Sequence, residues 1–359
     1  MTYAGDSLPH VALEDVFDLN AVEIMKRITD VLSITTIMLS IFVVYLIVTV
    51  TPKHMYGSRP YLLFYIFSGL SQKIVTALLK LYIIIPHGIF YPVGWLAPMS
   101  HTTVQILSCT FYFVTFLLLT SLLMLLIDRY FAITVTNFDM EPFYKKKLFY
   151  LFICLTISTV TCSINCYFSI FMDQFNHGEI TAELMLRTIS GSQKLLDYQP
   201  DLLSLNLNNT VSRTLVKYSL VACGGLFFVF FAIFIILNIF VAKKTMTFVC
   251  QRSKKNHNMV VKMTYAQVVG LIGFIFLPQI AFFYGTKYFT NASYIFAVGL
   301  TIQDFFLLYD IAVTVICIRP YRIFVIKLFY RWNKESNTVR RPSTINDGML
   351  KLNQVSRIN

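Results

Sequence analysis

Few residues in this chain have the type and setting to do chemistry, and most are charged groups inside apolar runs. Lys73 and Asp304 each interrupt such a run. At helical rise they lie ~18 Å from the start of one run and ~21 Å from the end of the other, so the two depths match if both runs cross a membrane. An ionised group at that depth is costly and needs a partner or a task. Asp310 lies nearer the end of its run, where backbone or water can serve it. A third apolar run ends in Asp128-Arg129-Tyr130. These groups can pair, recognise a charged ligand, or switch partners. Catalysis is not suggested: all six His lie outside the apolar runs and no paired carboxylates accompany them. We expect no catalytic residue, no metal ligand, no cofactor and no enzyme.

The elements that must carry these residues are membrane helices. The chain is 56% apolar and 13% charged, against about 25% charge in a soluble domain. Seven runs are long enough to cross ~30 Å of hydrocarbon as helices. They are residues 28–51, 61–85, 102–127, 148–171, 214–241, 264–284 and 293–318. The expected fold is an all-α seven-transmembrane bundle (28–332), preceded by an extracellular segment (1–27) and followed by a disordered cytoplasmic tail (333–359). Residues 172–213 read as the one long loop. Of 30 Lys and Arg, 21 fall after spans one, three, five and seven. The positive-inside rule therefore places the N-terminus outside and the C-terminus in the cytoplasm. Lys26 and Arg27 oppose that rule locally. Sequons at Asn208 and Asn291 fall on the side that the charge count makes external, as glycosylation requires. The net charge of +12 thus lines a membrane face and suits lipid or an acidic partner, not nucleic acid.

Seven spans with Asp128-Arg129-Tyr130 at the inner end of the third resemble the G-protein-coupled receptors. A narrower resemblance, to the nematode serpentine chemoreceptors of class H or class I, rests on several stretches. These are Thr51-Pro52-Lys53-His54-Met55, Pro86, Tyr91-Pro92-Val93-Gly94-Trp95-Leu96, Leu277-Pro278 and Arg319-Pro320-Tyr321-Arg322. The resemblance implies olfactory or other chemosensory transduction at the plasma membrane, with the ciliary membrane of sensory neurons as one candidate site. A small organic ligand and a heterotrimeric G protein are its implied partners. Arg129, with Asp128 and Tyr130, is implied to engage the G protein. Spans two and seven are neighbours in that fold, which makes a Lys73–Asp304 ion pair the leading reading; the other is that one of them faces the ligand.

The chain departs from the rhodopsin-like pattern in ways that bear on mechanism. That pattern ties span three to the second outer loop by a disulfide, yet residues 172–213 contain no Cys. Buried thiols that behave as small hydrophobes are the main reading of the seven Cys, and a bridge from Cys109 to Cys162 or Cys166 stays open. No acid is available in the third inner loop or the start of span six to latch Arg129.

Pro278 should kink span six, and the receptor resemblance implies a toggling aromatic at Phe276, two residues before it. Helical phase puts Ser108, Phe111 and Thr115 on the Arg129 face of span three, with Tyr112 at its edge. Gln279 and Phe283 from span six, and Gln303 and Asp304 from span seven, complete the expected ligand cleft. Lys80 and Lys217 can snorkel to the boundary. The basic third inner loop, including Lys254 and Lys255, reads as topology and as a G-protein docking surface. Residues 321–332 read as a short amphipathic helix on membrane lipid. Arg340-Arg341-Pro342-Ser343 resembles a basophilic kinase site. The competing reading is a seven-span transporter or channel for a small solute, which has neither an inverted repeat nor matched broken spans to support it.

Overall fold

The computed structural model describes residues 11–17, 19–51, 59–84, 88–134, 147–171, 175–205 and 292–339. It also describes residues 232, 236, 239, 262–263, 265–267, 269–278 and 280–281 of spans five and six. Helices carry most of the described chain: α1 (Leu13–Val16), α2 (Leu19–Thr49), α3 (Arg59–Leu79), α4 (His101–Thr134) and α5 (Lys147–Phe171). The set continues with α6 (Gly178–Thr188), α7 (Gln193–Tyr198), α8 (Ala292–Cys317) and α9 (Arg319–Val339). Among the described residues, four helical stretches are long and apolar enough to cross a membrane: Leu19–Thr49, Arg59–Leu79, His101–Leu125 and Ser293–Cys317.

α2 shows why these sequences settle in lipid. Its exposed face carries Val31, Ile34, Met38, Ile41, Tyr45 and Val48, while Thr29, Ser33, Thr36 and Ser40 are buried. Each of those hydroxyls donates to a backbone carbonyl four residues earlier, at 2.7 to 2.9 Å. Small self-satisfied residues inside and oily ones outside are the arrangement lipid selects.

The long helices pack in the order α5, α4, α3, α2, α8, with span six beside α8. Their shared core includes Leu46, Tyr65, Ile66, Leu118, Leu122, Phe306, Leu307 and Tyr321. Tyr321, at the start of α9, is fully buried and bonded to Thr51 at the end of α2 at 2.7 Å. α9 is therefore tied to the bundle where span seven ends. It runs on to Val339, so the boundary expected at residue 333 falls inside a helix.

One end of the bundle is closed by strands that the sequence reading did not anticipate. β1 (Val11–Ala12) pairs in parallel with β5 (Ile189–Ser190). β2 (Leu81–Ile84), β3 (Ile89–Pro92), β6 (Leu203–Leu205) and β4 (Phe175–His177) form an antiparallel sheet in that order. Span two thus ends at Leu79 and not at residue 85, because Lys80 turns to a positive φ of 30° and the branched and aromatic run after it pairs as a strand. Residues 172–213, expected as a loop, hold α6, α7 and three strands. The first span starts at Leu19, inside the segment expected to be external, because Phe17 and Val22 pack into the aromatic cluster of Tyr82 and Tyr91. Phe17 meets Tyr91 edge-on at 5.3 Å. Burial pushes the Tyr91 hydroxyl up to about 12.

Candidate functional site

Two charged pairs lie where α2, α3 and α8 meet the sheet end. α3 delivers Lys73 with its side chain 2% exposed, and Nζ lies 2.5 Å from Asp304 Oδ1 on α8. Asp304 is 12% exposed, so both charges are withdrawn from solvent and each depends on the other. Removing water strengthens their attraction but raises the cost of separating them.

The second pair forms just beyond the last turn of α3. Lys80 Nζ donates to Asp30 Oδ1 at 3.2 Å and to the Lys26 carbonyl at 2.9 Å, both on α2. Trp95 Nε1 donates to the same Asp30 oxygen at 3.1 Å. The backbone brings Trp95 there by folding back on α3: Val93 N donates to Lys80 O and Trp95 N to Ala77 O. Gly94 permits that approach, since a Cβ there would sit 2.1 Å from the Leu78 carbonyl oxygen. Lys80, given no role by sequence, therefore joins the N-terminal part of α2 to the end of α3. Asp30 was not singled out by sequence, and Trp95 only as part of the Tyr91–Leu96 stretch. Asp30 in the first apolar run was the one signal that could have found them.

The expected cleft residues divide by setting. Phe111 is half-buried against the small cluster of Leu79, Met99, Val104 and Leu203, beneath the sheet. Ser108 and Gln303 are half-buried, and Thr115 carries a buried hydroxyl with no hydrogen-bond partner among the described residues. Tyr112 is exposed and stacks edge-on to Phe111 at 6.0 Å. Phe276 packs at the margin of the main core and Pro278 is buried. Asp310 accepts a hydrogen bond from Gln267 Nε2 of span six at 2.8 Å, a partner that the sequence did not suggest.

The start of α4 is held by side chains from the 175–205 segment. Met99 N donates to Gln199 Oε1 at 2.9 Å, and Gln199 Nε2 donates back to the Met99 carbonyl. Asp201 accepts from His101 N at 2.8 Å and lies 2.9 Å from His101 Nδ1. A carboxylate on the first amide of a helix also suits the helix dipole. These contacts stand where the rhodopsin-like pattern has its disulfide. No disulfide joins Cys109 to Cys162; the Cys162 thiol donates to the Cys109 carbonyl at 3.4 Å.

Asp128, Arg129 and Tyr130 continue α4, but their side chains lie outside the described residues. So do Lys217, Lys254, Lys255, Gln279, Phe283, Asn208, Asn291 and Ser343. Among the described residues no three His, Cys, Asp or Glu side chains gather as a metal site would require.

A family model described as serpentine type 7TM GPCR chemoreceptor Srh matches residues 21–331. No curated protein matches the chain.

Proposed function

Because the chain belongs to the Srh family of serpentine seven-transmembrane chemoreceptors, we propose that it converts binding of a small organic ligand outside the cell into activation of a heterotrimeric G protein. As a family member it is a multi-pass membrane protein of the GPCR type and not an enzyme. In our reading the N-terminus and the sheet end face outward, α9 lies on the inner leaflet, and Asn208 and Asn291 carry glycans. The protein belongs in the plasma membrane, with the ciliary membrane of sensory neurons as its site of action.

The observation that carries this reading is the buried Lys73–Asp304 pair between α3 and α8. Its two charges, with Ser108, Phe111, Thr115 and Gln303 nearby in helical phase, supply a few directed polar groups in a greasy interior. Gln279 and Phe283 complete the cleft, and Tyr112 sits at its edge. A ligand shifts the resting equilibrium only by binding one arrangement better than the other. An agonist that competes for either partner of the ion pair has that property. Phe276 and Pro278 transmit the change along span six. Asp128, Arg129 and Tyr130, with Lys254 and Lys255, form the coupling face, and a kinase acting at Ser343 ends the signal.

Expression with a G-protein reporter, challenged with odorants and small metabolites, tests the reading. Ligand-dependent G-protein activation is expected. Arg129→Ala should abolish most of it at equal surface expression, and full coupling in that variant would remove the role given to Arg129. Ligand-driven solute flux with no G-protein response would favour the transporter reading instead.

A further inference from the structure

Span six meets α8 through a set of contacts that neither the ion pair nor the expected cleft uses. Gln267 and Asp310 are both fully buried, and Gln267 Nε2 donates to Asp310 Oδ1 at 2.8 Å. One residue away on each helix, the Tyr309 hydroxyl donates to the Ala266 carbonyl at 2.9 Å. Gly270 makes room for the Tyr309 ring: a Cβ there would lie 2.3 Å from Cε1. The same ring packs on Phe274 at 5.3 Å. Immediately beyond, residues Ile272–Phe276 form a π-helical turn. The buried Pro278 follows, packed so close to α8 that a Cβ on Gly299 would touch it at 3.5 Å.

The two halves of this arrangement differ in mechanical character. A π-turn followed by proline interrupts the backbone ladder and is where a helix bends. The segment before it is fastened at two points by polar bonds in a low-dielectric interior. There, parting a carboxylate from its donor is costly. A hinge next to a fastened segment makes a two-position element.

We propose that Gln267 and Asp310, with Tyr309 on the Ala266 carbonyl, form a two-point clasp that holds span six against α8 and thereby sets the receptor's ligand-independent activity. This rests on the receptor reading above. Opening about the π-turn and Pro278 takes the Gln267 amide away from Asp310 and the carbonyl away from Tyr309. The clasp thus does for this chain what an acid opposite Arg129 would do, and the third inner loop has none.

Two readouts on the full-length receptor test it. Probes are attached at Lys262→Cys and Arg322→Cys, in a background with the reactive native thiols replaced, and their separation is measured in lipid without G protein. Gln267→Leu removes one arm; Tyr309→Phe removes the other by deleting a single hydroxyl, and so keeps the test valid if the first variant folds poorly. Interhelical bonds in membranes shift an equilibrium by about three- to thirtyfold each, so each variant should enlarge the long-separation population by a factor in that range. Asp310→Asn, which keeps an acceptor oxygen but loses the charge, should fall between wild type and Gln267→Leu. Ligand-independent G-protein signal per surface receptor should rise in the same order. Unchanged separations in the Gln267→Leu/Tyr309→Phe double variant would overturn the clasp. Separations that lengthen while no variant and no wild-type receptor activates any G protein would leave the clasp standing and reject the receptor reading.

Discussion

Lys73 and Asp304 are the residues on which burial and charge conflict most sharply. Each is tolerable only because the other is 2.5 Å away. Removing one partner leaves an uncompensated charge, a change of about 3 to 5 kcal/mol in buried pairs. Lys73→Met should therefore lower the thermal midpoint of the purified receptor severely. Lys73→Met/Asp304→Leu should recover most of that loss, since a well-packed apolar pair can replace a buried salt bridge. A double variant whose loss equals the sum of the two single losses would mean that the two charges do not depend on each other. The depths of these residues were legible in the sequence because each is a charge isolated in an apolar run. The Asp30, Lys80 and Trp95 contacts were not, because they exist only once the chain after α3 folds back over its last turn. Gln267 was equally silent, since one amide in an apolar run carries no mark of the carboxylate it will meet.

At the scale of elements, hydropathy located the long helices well and the strands badly. A run such as Leu81–Ile84 satisfies a membrane-span criterion and a strand criterion alike. What decided it was pairing with Ile89–Pro92, a partner invisible to a window. The fastening of α4 belongs to this scale too. Gln199, 1% exposed, satisfies both the N–H and the carbonyl of Met99. Gln199→Ala would leave two buried backbone groups unserved, at about 1 to 3 kcal/mol each. Limited proteolysis should then cut faster within residues 193–205, while cleavage of α2 and α3 stays unchanged. Equal protection in wild type and variant would show that the sheet end is held by its apolar cluster alone. Gly94→Ala is expected to be destabilising, because Gly94 is buried and its added Cβ would meet a backbone oxygen that cannot yield.

For the whole molecule, seven spans follow from composition, and the Srh family match over residues 21–331 agrees with them. Orientation is argued from the distribution of Lys and Arg and is open to direct trial. With the N-terminus outside, an N-terminal epitope should be stained on intact cells. Asn208→Gln should also remove a glycan and raise gel mobility. Staining only after permeabilisation, with no mobility change, would invert the topology. The sheet end was unreadable as a unit because its contributors are scattered from Val11 to Leu205 and across α8. No local pattern records an association of that span.

That scattering sets an order on biogenesis. Val11 pairs with Ile189, so β1 must wait for its partner strand until four spans have been threaded into the bilayer and the next segment has followed. Ala297 belongs to the same cluster, and it arrives with the last span. The cap therefore cannot be completed before α8 has been made. A chain stopped short of α8 should therefore leave the Tyr82–Tyr91 cluster without part of its cover.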